Sequence, residues 1–444
     1  MRRLLAIEVR HSAMLPMLPV LAGLLLLSPI ARHLTPVALW TSRSNDVQST
    51  VQAIGPFVAG TAAWMAYRER RRAVSDLLVC TPYPPLARRL ATWAAVAVWA
   101  ALCYLVNVGV VFAITAGQAT WGRPVLWPVL SGLTSVVACT MLGFVAGKAL
   151  PGRLTAPLVA IGTLVAMAAM MEWALGGEWL GRLSPIYPSI GESPFYRVDP
   201  SLSQAQVLCY LGVAAAAVGL LALAGRRDTR AARLRGGALA AAGLVLAAAG
   251  TGLALRSPVG DFGHFDRSAR PASAPVPVAY TPVCAGSPLP ICVHPAFRRE
   301  LAALEAALSP VTAPLAGTPA MPSGVAQSRH DGSLLPFEFG DYQLRGDTIV
   351  PYQALTILRT RFALALVTAP GTGPAKAGAA QRAVAAFLLR QAGVTPEPGL
   401  LPPSTVDTSA AQRLAALDAS GRHAWFAAHA TALRAGTLTL ADLP

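Results

Sequence analysis

Charge is what this sequence has least of. Asp, Glu, Lys and Arg make up 13% of its 444 residues, against 54% hydrophobic, and the mean hydropathy is +0.50. An ordinary soluble protein of this length carries far more charge, so the composition points to a polytopic membrane protein. Lysine is almost missing, and nearly all basic residues are Arg; with the abundant Ala this reads as a GC-rich coding bias and says nothing of function. Catalytic signatures are missing too. There is no HExxH pattern and no GxSxG elbow, and His423 and His429, six apart, fall on different faces of a helix. GTGPAKAG at Gly371–Gly378 has Ala375 and Ala377 where a phosphate loop needs Gly before the Lys and Ser or Thr after it, so it reads as a turn before a helix. His264 and Asp266 in DFGHFD read as a surface turn. The sequence therefore predicts no metal site, no cofactor and no nucleotide site of its own, and a membrane enzyme is the least supported class.

What is present is a series of apolar runs separated by arginine clusters. MRRLLAIEVRHS, with Arg2, Arg3 and Arg10, predicts an interfacial helix leading into an uncleaved first span. Spans are expected near 14–30, 51–67, 92–116, 129–150, 154–174, 205–224 and 238–255, each close to the roughly 20 apolar residues that cross a bilayer core. With the N-terminus inside, 16 Lys and Arg fall in cytoplasmic segments before Leu255 and 5 in external ones. The inverted arrangement breaks the positive-inside rule. An odd number of spans then puts everything after Leu255 outside the cytoplasm. The net charge is +12 up to Leu255 and +3 beyond it, so the excess accompanies the apolar half. That distribution suits orientation and contact with the lipid bilayer, and no nucleic-acid partner is expected.

Residues 1–255 are thus expected as a transmembrane domain, 256–283 as a Pro- and Ala-rich linker, and 284–444 as a small, mainly helical, extracytoplasmic domain. The whole is an all-α polytopic membrane protein. Helical patterns in the last part cover Pro295–Leu308, Tyr352–Thr368, Ala379–Gln391 and Ser409–Arg434, with a break near Ser420. Ala31–Thr50 reads as an external loop. The aromatic, Pro- and Gly-containing stretch after the fifth span, with Trp179, Tyr187, Phe195 and Tyr196, reads as external with a part that dips back.

Three groups of residues stand out. Cys284 and Cys292, close together in VCAGSPLPICVHP, suggest a disulfide if this part is exported; a metal site with His294 and free thiols are the alternatives. Asn107 and Glu172 are polar within expected spans, where such groups are functional candidates or plain packing and interface residues. The third group lies in YRERRRAVSDLLVCTPYPPLARRLATW, Tyr67–Trp93, between the second and third spans. Val74, Leu77 and Leu78 beside Asp76, followed by prolines, predict a short amphipathic helix along the cytoplasmic membrane surface. A solvated loop that only fixes topology is the bland alternative.

This layout resembles the permease subunits of ATP-binding cassette exporters of the second export class: a basic interfacial helix, six spans, a cytoplasmic amphipathic loop after the second and an aromatic segment between the fifth and sixth. The resemblance covers roughly Met1–Ala224. ICVHPAF and the closing LRAGTLTLADLP look similar to tails of actinobacterial permease-like proteins; the seventh span and exported tail depart from the six-span plan. The resemblance implies a separate ABC-type ATPase subunit that binds ATP, and a second permease copy or a related permease. It also implies a coupling loop in which Arg71, Arg72, Val74, Asp76, Leu77, Leu78 and Arg88 meet the ATPase. The alternative class is a non-transporting membrane protein whose exported C-terminal domain binds a ligand or envelope partner.

Overall fold

The computed structural model describes residues 2–25, 38–71, 84–150, 152–175, 179–187, 190, 194–223, 230–257, 276–327, 351–368 and 377–444. Two compact units form. The first takes nearly all of the chain up to Pro277; the second takes Val278–Pro444 together with the turn Ala119–Gly122.

The first unit is helical. Its helices are α1 (Arg2–Arg10), α2 (Leu18–Leu25), α3 (Trp40–Ser49), α4 (Val51–Arg71), α5 (Pro85–Gln118), α6 (Leu126–Ala149), α7 (Thr155–Leu175), α8 (Ser201–Leu223) and α9 (Arg230–Ala254). Among the described residues, five helices are long and apolar enough to cross a membrane: α5, α6, α7, α8 and α9. A sixth span results if the bent pair Arg3–Arg10 and Leu15–Leu25 counts as one. This is consistent with an integral membrane protein. The expected second span is a helix, α4, of 21 residues, but its composition falls short of that of the other five. Gln52, Thr61, Tyr67 and Arg68 lower its hydropathy, and Val51, Ile54, Val58 and Ala62 are fully buried, so protein rather than lipid surrounds that face. In α7 the opposite holds, with Leu158, Ile161 and Val165 exposed on an apolar surface suited to lipid.

α5 starts at Pro85, where a missing N–H costs nothing, and runs 34 residues, about 51 Å at 1.5 Å per residue. The basic helix α1 lies on this bundle. Arg68 Nη2 donates to both carboxylate oxygens of Glu8 at 2.7 Å, and Trp99 Nε1 donates to the Val9 carbonyl at 2.9 Å. The most extensive pairing is that of α8 with α9. A Cβ added at Gly243 would lie 2.3 Å from the Ala216 nitrogen, and one at Gly212 2.4 Å from the Ala247 nitrogen, so the two backbones touch where only glycine fits.

The second unit begins with a small sheet in the order β1 (Val283–Ala285), β2 (Ile291–Val293), β3 (Val325–Ala326); β1 and β2 are antiparallel, β2 and β3 parallel. The sequence patterns gave no sign of these strands, which are too short to show a period of two. Helices α10 (Leu301–Thr312), α11 (Pro351–Val367), α12 (Ala379–Gln391), α13 (Thr408–Ala416) and α14 (Ala419–Ala435) follow. Asp407 and Asp418 cap α13 and α14, accepting from the Ala410 and Gly421 N–H groups, which is why the pattern breaks near Ser420. α14 ends on Gly436 at φ 64°, a left-handed cap. Leu308, Val384, Phe387 and Phe426 form its core.

Candidate functional site

The main difference from the sequence reading lies at Trp40–Ser49. Expected as loop, this stretch is the helix α3, and its polar side chains are inside: Arg43, Ser44, Asn45 and Gln48 are all buried. A helix this polar carries no apolar stripe, so hydropathy cannot find it. It is held by partners distant in sequence. Asn45 Nδ2 donates to the Ile190 carbonyl at 3.0 Å, and Gln48 Nε2 to the Tyr187 carbonyl at 3.1 Å. The segment after the fifth span is therefore also interior, with Ser184, Ile186, Tyr187 and Ile190 buried beyond a 3-10 turn at Trp179–Leu183.

Gln206 ties these pieces together. Its Oε1 accepts from Gln48 Nε2 at 2.9 Å and from Ser131 Oγ at 2.6 Å, and its Nε2 donates to the carbonyls of Arg182 at 2.8 Å and Ser184 at 3.3 Å. An amide side chain has two donors and two acceptor positions, and here all are used. Tyr210, one turn further along α8, donates to the Leu183 carbonyl at 2.7 Å. One polar junction thus joins α3, α6, α8 and the 179–190 segment inside an otherwise apolar bundle. Such a junction fixes non-helical backbone in place, because each of its polar groups would be costly to leave unmatched away from water.

No protein-family model, curated protein or solved structure matches this chain. Its site must be read from its own geometry.

The residues singled out in the sequence fall in different places. Asn107 is buried in α5, 5% exposed, and its Nδ2 has no hydrogen-bond partner among the described residues. Glu172 is exposed near the end of α7, beside the exposed Trp173, so it faces out of the bundle. Arg71 ends α4, and Arg72, Val74, Asp76, Leu77 and Leu78 lie outside the described residues. Arg88 is half-buried in the first turn of α5. Cys284 and Cys292 face one another across β1 and β2 and are joined as a disulfide. His264 and Asp266 lie outside the described residues, as does Gly371–Lys376; Gly378 directly precedes α12. His423 and His429 each meet a backbone carbonyl, of Gly317 and of Trp425. Among the described residues no three His, Cys, Asp or Glu come together as metal ligands.

Gln48, Ser131, Gln206 and Arg43 were missed from the sequence. Gln206 sits at the edge of an apolar run, where a polar residue reads as a span boundary, and Arg43 was counted only as a topology marker. The available signal was the density of small polar residues in TSRSNDVQS and SLSQAQ, on both sides of long apolar runs.

In the second unit, His294 is fully buried among aromatic rings, with Tyr280 at 4.3 Å, Trp121 at 5.2 Å and Phe297 at 6.5 Å between centroids. Its Nδ1 accepts from the Ala296 N–H at 3.1 Å, and burial pushes its pKa down to about 4. Thr120 donates to the Pro295 carbonyl at 2.7 Å, which fastens the Ala119–Gly122 turn beside it.

Proposed function

We propose that the chain is the permease subunit of an ATP-binding cassette exporter, moving a substrate across the cytoplasmic membrane when a separate ATPase subunit drives it. The observation that favours this reading is the polar junction around Gln206. A bundle that only anchors an exported domain has no use for a polar helix and an irregular segment buried among its spans. A transporter does, because broken helices with satisfied polar groups are how such proteins build a substrate path near the membrane midplane. The basic helix α1, clamped by Arg68 and Trp99, agrees with the same layout.

In this reading two copies, or one copy and a related permease, line the path. Closure of the ATPase pair pushes on the cytoplasmic loop after α4. Val74, Leu77 and Leu78 form the pushed face, with Arg71, Arg72, Asp76 and Arg88 at its rim. The tail is extracytoplasmic. The turn Ala119–Gly122 shares a unit with Val278–Pro444, which agrees with both lying on one side of the membrane.

The test is charge reversal, Arg71→Glu with Arg72→Glu, followed by co-purification with the ABC-type ATPase subunit that this reading requires. The double variant should reach the membrane at the normal level and recover at least tenfold less ATPase. Undiminished recovery would remove the exporter reading and leave a membrane anchor whose exported domain binds a ligand or envelope partner.

A further inference from the structure

Arg43 is an exception within the polar junction. Around it, buried polar side chains of α3 have found acceptors: Ser44 donates to the Trp40 carbonyl, Asn45 to Ile190, and Gln48 to Tyr187 and Gln206. The Arg43 side chain is just as deeply placed, at 4% exposure, yet its Nε and Nη2 are buried without a hydrogen-bond partner among the described residues. Asp46, three residues on, exerts an attractive field but bonds to neither atom. A guanidinium cannot escape by losing its proton, and an unpaired buried charge costs several kcal/mol.

The two unpartnered atoms define the shape of what is missing. Nε and Nη2 form one edge of the guanidinium fork, with parallel N–H bonds, the geometry that takes two oxygens of a single carboxylate or phosphate. Arg43 lies one turn along α3 from Trp40, whose ring packs edge to face with that of Phe112 on α5 at 5.6 Å. What the guanidinium edge calls for is an acceptor, so the partner that suits it is an anion rather than a cation or an apolar group.

We infer that the surroundings of Arg43 on α3 are an oxyanion site, in which the Nε and Nη2 edge of Arg43 grips two oxygens of a carboxylate or phosphate. The oxyanion is either a free small anion or the headgroup of an anionic lipid. The inference stands on the bundle alone and not on the ATPase-driven reading above.

The test uses the full-length purified chain. Thermal melting is followed in detergent with inorganic phosphate and with acetate, and in phosphatidylcholine nanodiscs with and without phosphatidylglycerol. At least one probe should raise the melting temperature of the wild type by about 3 °C or more at saturation. Arg123→Gln, which removes an exposed charge, should respond like the wild type. Arg43→Gln should lose the response. Arg43→Lys, which keeps the charge without the fork, should need at least tenfold more probe, and it decides the matter if Arg43→Gln does not fold. A response to phosphate or acetate assigns a free anion, and a response to phosphatidylglycerol alone assigns a lipid headgroup. If no probe moves the wild type, or if Arg43→Lys responds at the same concentration as the wild type, there is no such site.

Discussion

Gly243 and Gly252 lie on the same helix and differ only in what stands opposite them. A methyl group at Gly243 would press to 2.3 Å from the Ala216 backbone nitrogen, whereas one at Gly252 would meet nothing within 4 Å. Alanine is favoured over glycine in a helix by about 1 kcal/mol, so the two substitutions should move in opposite directions. Gly252→Ala should leave the melting temperature unchanged or raise it, and Gly243→Ala should lower it, by about 1–3 kcal/mol of overpacking. Equal behaviour of the two in detergent melts would mean that α8 and α9 do not touch there. Both glycines look alike in the sequence, where a glycine facing a neighbouring backbone and a glycine facing lipid leave the same mark. Gln206 shows the same limit. Its type is legible, but that all its donors and acceptors are used depends on Gln48, 158 residues away.

Among the elements, helices rich in strong helix formers are legible in the sequence. Ala379–Gln391 is expected as a helix and is one: it is dominated by Ala, Leu, Arg and Gln, and its run Ala383–Leu389 is buried on every side, as in a core helix. α3 was not legible, since its stability comes from tertiary hydrogen bonds and not from an apolar face. The β1–β2 hairpin was visible only as two cysteines at a short spacing. Its strands have three residues each, and the disulfide closes the connection between them. Closing a loop of this size removes unfolded-state freedom worth about 2.5 kcal/mol. Replacing both Cys284 and Cys292 by Ser should therefore destabilise the second unit by roughly that amount, and mild reductant should do the same to the wild type. Limited proteolysis between residues 284 and 292, faster in the variant, reads this directly; identical cleavage of both forms would refute it.

At the scale of the molecule, two compact units should unfold as two events, and acid should separate them. His294 is held neutral by burial, with a pKa of about 4 in the fold against about 6.5 when unfolded. A group with a depressed basic pKa takes up its proton first in the unfolded state. Its contribution is whole above pH 6.5 and is lost as pH falls through 4, up to about 3 kcal/mol in total. The second unit should accordingly melt earlier as pH drops from 6.5 to 4, and His294→Gln should flatten that dependence. Calorimetry of the full chain measures it, and a wild-type transition that stays fixed over this range would contradict the burial of the ring. The apolar spans, the arginine asymmetry and the two-part organisation follow from composition and pattern. The polar junction does not, because it exists only once four separate stretches have come together.

One consequence concerns anyone who divides this protein. The turn Ala119–Gly122 sits between two helices of the first unit in the chain, yet it packs with the second, through Thr120 on Pro295 and Trp121 on His294. A shortened gene product stopped at Pro277 would not be a clean half: it would display an indole and a hydroxyl stripped of their seats. Misbehaviour of such a fragment would reflect that wound and not the worth of the missing residues to whatever the intact molecule does.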